Sequence, residues 1–170
     1  MFITAIRTLY AYNAWASARV LAAASQLTGD QFTAPVPGPG ASFSSVRDTL
    51  VHTLGAQRHW LARFRHWEPP EFLTAAECSD LATLQGCWDA VETDTQAFVA
   101  ALDNDLLGTV ITYTTRWGRT YSYPLWQMMI HQVNHATHHR SEAAMLLAHW
   151  GYPPGELDFI TYIDEQNARA

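Results

Sequence analysis

Apolar positions recur at helical spacing along most of this chain, broken by short stretches rich in Gly and Pro. Phe2, Ile6, Leu9, Asn13, Ala16, Val20 and Ala24 follow one another at intervals of three and four, and Gly29 closes the pattern. This predicts a helix over 2–27 with one buried face. Asn13 is the polar member of that stripe, either a buried amide satisfied by backbone or a donor facing a site. Residues 28–41 hold three Pro and three Gly and read as a loop. Ser42 or Ser44 can cap a second helix, 43–67, which stops before Pro69-Pro70. Its main stripe is Phe43, Val46, Leu50, Leu54, Leu61 and Phe64. Nearly opposite lie His52, Gly55, Ala56 and His59, a face small enough to admit another helix closely, so burial on two sides is expected. Periodicity does not choose between His52 and His59.

Ser79-Asp80 opens a third helix over 79–102, carrying Leu81, Leu84, Trp88, Val91, Phe98 and Leu102. Residues 109–123 are β-branched and aromatic around Trp117-Gly118, which predicts a short hairpin. A fourth helix over 124–150 ends at Gly151, with Pro153 and Pro154 just beyond. The tail, 155–170, fits a short helix through Leu157, Ile160 and Ile163. With no internal repeat and no linker, 1–170 reads as one domain. The predicted fold class is all-α, a four-helix bundle with a short β-hairpin between helices 3 and 4.

Five of the eight histidines fall in the fourth helix. Projected at about 100° per residue, Leu125, Met129, Ala136, Ala143, Leu147 and Trp150 form a core stripe roughly 60° wide. His139 lies about 40° from its reference line and His135 about 80°, whereas His131 and His138 lie near 120° and 140°. His135 and His139 therefore face partly inward and His138 outward. Four residues apart, their Cβ atoms are about 5–6 Å from each other, close enough for two imidazoles to share a metal, with a third ligand from elsewhere. Without a metal, two such rings discourage each other's protonation. The Glu of an HExxH motif is missing, so the spacing does not support a zinc protease.

Composition narrows the classes. Hydrophobic residues make up 48% and charged residues 15% of 170 positions, enough for a sizeable core. Net charge is −6, and all ten basic residues are Arg. No basic stripe suits a phosphate backbone, so nucleic acid is not an expected partner. The absence of Lys removes Schiff-base and P-loop lysine chemistry. No apolar run is long enough for a membrane span, and the N-terminus lacks a basic start followed by an apolar block, so a cytoplasmic protein is expected. Cys78 and Cys87, nine apart with no CxxC, read as reduced thiols.

The segments YNAWASARVL, SSVRDTLVHTLGAQRHWLARF and HQVNHATHHRSEAAMLLAHWGYPP together resemble the DinB family, metal-binding four-helix proteins with YfiT-like and thiol-transferase-like branches. The last segment carries the specific signal, since it is similar to the family's NHxxHHRGQ form. The resemblance implies one divalent metal ion, zinc or nickel ahead of iron or manganese, held by His52, His135 and His139. Imidazole ligands do not choose the ion by themselves. Where the family has Gly-Gln after the Arg, this chain has Ser141-Glu142. Glu142, seven residues from His135, is a candidate catalytic general base, an acceptor orienting an imidazole, or simply solvated.

Three neutral imidazoles leave coordination positions open, as catalytic metal sites do. The resemblance implies a metal-dependent enzyme in which a low-molecular-weight thiol is activated and transferred to a small electrophilic substrate; activated water would give hydrolysis with the same parts. A non-catalytic, stress- or damage-inducible metal-binding protein is the alternative. The abundance of Trp and Tyr, and the pairing common in the family, imply a homodimer.

Overall fold

The computed structural model describes residues 2–37 and 41–169, and these are mostly helical. In chain order they form α1 (Phe2–Ala24), α2 (Gly29–Thr33), α3 (Val46–Phe64), α4 (Leu81–Ala100), α5 (Asn104–Gly108), β1 (Val110–Thr114), β2 (Thr120–Pro124), α6 (Leu125–His149) and α7 (Phe159–Asn167). Four long helices and one hairpin match the sequence pattern. α1 and α3 each pack against both α4 and α6. Among the described residues no helix is long and apolar enough to cross a membrane.

Helix ends follow local chemistry. Ser45, rather than Ser42 or Ser44, caps α3 by accepting from the Asp48 amide at 3.1 Å. This leaves Ser42 and Phe43 in the preceding chain, free to turn elsewhere. α3 stops at Phe64, short of Trp67, because His66 takes φ 57° and the Trp67 amide returns to the Ala62 carbonyl at 2.9 Å. α6 ends as its sequence implied. Gly151 at φ 85° lets the Tyr152 amide reach the Leu147 carbonyl at 3.0 Å, a Schellman closure.

The shorter helices depart from the sequence pattern. The first part of the 28–41 loop is helical as α2, because Thr28 and Gln31 form a reciprocal capping box that outweighs the nearby Pro and Gly; residues 38–40 of that loop lie outside the described residues. The segment after Asp103, which has no apolar period, folds as α5 on an Asp103 side-chain cap, its carboxylate accepting from the Leu106 amide at 2.7 Å. In the tail helix Tyr162 is the buried residue and Ile160 is 63% exposed, so α7 is rotated from the expected phase. The hairpin is as expected: β1 and β2 pair antiparallel with Val110 opposite Pro124 and Thr114 opposite Thr120, and Gly118 takes φ 77° at the turn.

The core has two apolar halves. One gathers Ile6, Tyr10, Leu61, Leu125 and Met129; the other gathers Val20, Leu50, Leu54, Leu84 and Leu147. Each such side chain contributes about 1.5–3 kcal/mol by burial. Between them runs a belt of buried polar groups, including Asn13, Gln57, Thr95, Gln132, His139 and Arg140. α3 is buried on both sides, as expected. What covers Gly55 is the connection after α3 and not a helix: a Cβ there would meet Leu73 at 3.7 Å. Cys78 and Cys87 are free thiols, Cys78 fully buried, and burial pushes its pKa up to about 11.

Candidate metal centre

The polar belt opens toward solvent where α3 faces α6. His52 comes from α3, and His135 and His139 stand one turn apart on α6. The ring centroids of His52 and His135 are 5.2 Å apart, those of His52 and His139 4.5 Å, and those of His135 and His139 4.5 Å. One nitrogen of each ring lies within 4.8 Å of those of the other two. The closest pair, His52 Nε2 and His135 Nε2, is separated by 3.3 Å. That is the edge of a tetrahedron with arms of about 2.0–2.1 Å, the length of a zinc–imidazole bond. His139 is buried, and His52 and His135 are half-buried.

Glu142 fixes the third ring. One of its carboxylate oxygens accepts from His139 Nδ1 at 2.7 Å. The other accepts from the Ser42 amide at 2.9 Å and the Ser42 hydroxyl at 2.8 Å. With its proton on Nδ1, His139 presents the lone pair of Nε2, the arrangement a metal-ligating histidine needs. Glu142 is 6% exposed, so it is not a solvated surface acid. Burial alone would raise its pKa, but the Ser42 amide and hydroxyl and His139 outweigh it and hold the carboxylate down at about 2.

Protonation of the other two rings is disfavoured. Burial, then the neighbouring His139 and His52, lowers His135 to about 4. His52 is lowered by burial and by His139, with Glu142 acting in the opposite direction. Neutral imidazole is the ligating form. Phe43 covers this edge, its ring centroid 4.6 Å from that of His52 and 5.9 Å from that of His139. The donor set thus fits a divalent ion: His52, His135 and His139 could hold one.

The other histidines fall outside this cluster. His59 bonds the Gly55 carbonyl through Nδ1 at 3.2 Å and stacks on Phe72 at 3.7 Å between centroids. His131 is exposed, its ring edge-on to Trp60 at 5.0 Å. His138 turns outward, as its phase implied, and its side chain is 65% exposed. It is not isolated, however, because its Nε2 lies 3.4 Å from Glu142. His138, His139 and Glu142 therefore form a second group able to approach one ion, though one in which the carboxylate already serves His139 and Ser42. Sequence reasoning missed Ser42 and Phe43 as parts of the site. Ser42 stood out only as a helix cap, and nothing in its neighbourhood points to a carboxylate 100 positions away.

Asn13 does not face the site. It is 1% exposed and accepts from Nη1 of Arg140, so its partner is a side chain and not backbone.

A groove of about 1280 Å³ runs beside the cluster along α3, lined by Phe43, His52, His59 and Arg63 on one side and by Phe72 and Trp117 on the other. A smaller hollow of about 490 Å³ between α1, α6 and α7 carries no titratable side chain. No curated protein matches the chain. The family model described as "DinB family" matches residues 1–170, the whole chain, and the protein that presents this histidine cluster belongs to the DinB family.

Proposed function

We propose that this protein is a metal-dependent enzyme that activates a small thiol, or water, for transfer to an electrophile or for hydrolysis. In this reading α1, α3, α4 and α6 form a four-helix bundle, supported by the packing of α1 and α3 on both α4 and α6. His52, His135 and His139 hold one divalent ion, zinc or nickel first. The observation that carries the reading is the convergence of three imidazole nitrogens, with the far side of His139 already engaged by Glu142. A divalent ion held there would lower the pKa of a thiol or water toward neutrality.

The chain's own residues do the rest. Glu142 keeps the His139 proton on Nδ1 and so keeps Nε2 available. Both carboxylate oxygens are occupied and the acid is held at about 2, which makes Glu142 a poor proton acceptor at neutral pH. Its role is therefore positioning and not general base. Phe43 shields the His52 edge from water. The groove beside His52 gives an electrophile room to approach.

Protein purified without a nickel column should contain about one equivalent of divalent ion per chain by elemental analysis. Zinc- or nickel-loaded protein should turn over a panel of thiols with electrophiles, or of activated esters, and chelated protein should not. Metal bound without turnover on either panel would favour the non-catalytic, damage-inducible reading.

A further inference from the structure

Of the three arginines that line the groove, one is half-buried and has no hydrogen-bond acceptor among the described residues. Arg47 bonds Asp48 at 2.9 Å, and Arg116 lies at the exposed hairpin end over Trp117 at 4.4 Å. Arg63 is different. It is half-buried, with its Cζ 4.7 Å over the Trp60 ring and 4.4 Å over the Tyr113 ring. Among the described residues its Nε is buried without a hydrogen-bond partner, and no carboxylate forms an ion pair with it. Glu68 and Glu71 line the groove but are exposed; Glu68 is near enough to favour the Arg63 charge, yet it forms no ion pair with it. A guanidinium keeps its charge even where burial disfavours it, and its planar fork suits a carboxylate.

Arg63 also stands in line with the metal centre. It follows His52 by eleven residues on the same helix, which is about 16 Å along the axis and only about 20° around it. His52, His59 and Arg63 thus share one stripe of α3, and all three line the groove. The arginine side chain leans back toward the helix N-terminus, which shortens the gap between its head group and His52.

We propose that the groove binds an elongated ligand with a carboxylate at one end, recognised by Arg63, and its reacting thiol at the other, beside His52. The inference rests on the proposed metal-dependent reading and adds the substrate class. Trp60 and Tyr113 orient the guanidinium, and the carboxylate meets the accessible edge of its fork, for which the described residues supply no acceptor. Arg63 is a specificity residue, distant from the reacting atoms.

The test uses the full chain, with and without Zn²⁺, titrated calorimetrically with 8-mercaptooctanoate and 8-mercaptooctanol, and with the three-carbon acid and alcohol as a short pair. The long acid should bind at least about tenfold tighter than the long alcohol, the scale of one charge-assisted hydrogen bond. The short pair, unable to reach Arg63 from His52, should differ by less than about twofold. The long-chain gap should collapse in Arg63→Gln, survive in part in Arg63→Lys, and persist in Arg116→Gln. On wild-type protein the Arg63 Nε–H resonance should shift with the acid and not with the alcohol, which decides the matter even where Arg63→Gln fails to fold. Equal binding of the long pair, a gap that survives Arg63→Gln, an equal gap for the short pair, or no binding at all would overturn the inference. An acid preference that gains nothing from Zn²⁺ removes the metal reading and keeps Arg63; Zn²⁺-dependent binding with no acid preference does the reverse.

Discussion

His139 and Arg140 are neighbours on α6 and both are buried, at 6% and 2% exposure, yet they turn to opposite sides and serve opposite ends. Arg140 faces α1. Its Nη1 donates to Asn13 Oδ1, its Nη2 to Thr137 Oγ1 at 2.8 Å, and its Cζ lies 5.5 Å over the Tyr12 ring. Its charge is met by neutral acceptors, an aromatic face and, at longer range, the Glu92 carboxylate. His139 faces α3. Only its Nδ1 is engaged, and its second nitrogen joins those of His52 and His135. Burial of a polar group is therefore no sign of a site in this protein. The sign is a set of converging lone pairs with no protein donor aimed at them.

Breaking the α1 side should give the largest effect, and on stability alone. Asn13→Leu leaves the buried Arg140 short of one acceptor, and a lost hydrogen bond to a buried charge costs about 1.5–3 kcal/mol. Urea denaturation of the metal-free protein should show that loss, while zinc affinity at a temperature where the variant is folded should stay within about twofold of wild type. A large drop in zinc affinity would mean the two faces of α6 are coupled. On the other side the roles reverse. His139→Ala should weaken Zn²⁺ binding by more than about 100-fold, beyond the 10–100-fold typical of residues behind the ligands. His52→Ala should do the same, and His138→Ala should cost less than about tenfold, through its contact with Glu142 alone. Equal losses from His138→Ala and His139→Ala in calorimetric titration would reverse the assignment.

How much of this contrast the sequence carries depends on its range. The long helices were legible because apolar spacing and the Gly151–Pro153 stop are local signals. The inward phase of His135 and His139 was legible for the same reason. Periodicity left His52 and His59 open, since the choice depends on how α3 is rotated against α6 and a helix's own phase does not carry its neighbour's; the resemblance chose His52, and His52 is the one in the cluster. Asn13 could be marked as an oddity on its stripe, but its partner is 127 residues away. α2 illustrates a different failure. Its Thr28–Gln31 capping box is written in the sequence, yet as a signal it is masked by the density of Pro and Gly that follows, although in the fold the box prevails. His66 ends α3 in a left-handed conformation, and no rule marks histidine as a stop.

The histidine side should also announce itself by pH. His135 is held at about 4 and His52 below its ordinary value, so between pH 6.5 and about 4 the unfolded chain takes up protons that the folded chain refuses. The sign follows: metal-free stability falls as pH drops through that window and is flat above it. Glu142, held at about 2, adds a further loss below its ordinary value of 4.5. Denaturation midpoints measured from pH 8 to 4 should show the slope in wild type and a shallower one in His135→Ala. An unchanged slope in that variant would place the titrating groups elsewhere. Glu142→Gln should lower zinc affinity about tenfold, because the amide still accepts from His139 but no longer carries charge to favour the ring's basicity.

The smallest effect expected is that of Ser42→Ala, and its size separates two ways of holding Glu142. The carboxylate oxygen that Ser42 serves receives both a backbone amide at 2.9 Å and a hydroxyl at 2.8 Å. Alanine removes the hydroxyl and leaves the amide, so Glu142 keeps one donor on that oxygen and keeps His139 on the other. A hydrogen bond to a charged group is worth about 1.5–3 kcal/mol when its loss goes uncompensated. Here the retained amide and the exposed position of Ser42 limit the loss to about 1 kcal/mol of stability or less. Zinc affinity should fall by less than about threefold, well short of Glu142→Gln, since the charge behind His139 is unchanged. If Ser42→Ala instead matched Glu142→Gln in calorimetric titration, the hydroxyl would be what orients the carboxylate. The loop before α3 would then belong to the metal centre as firmly as α6 does.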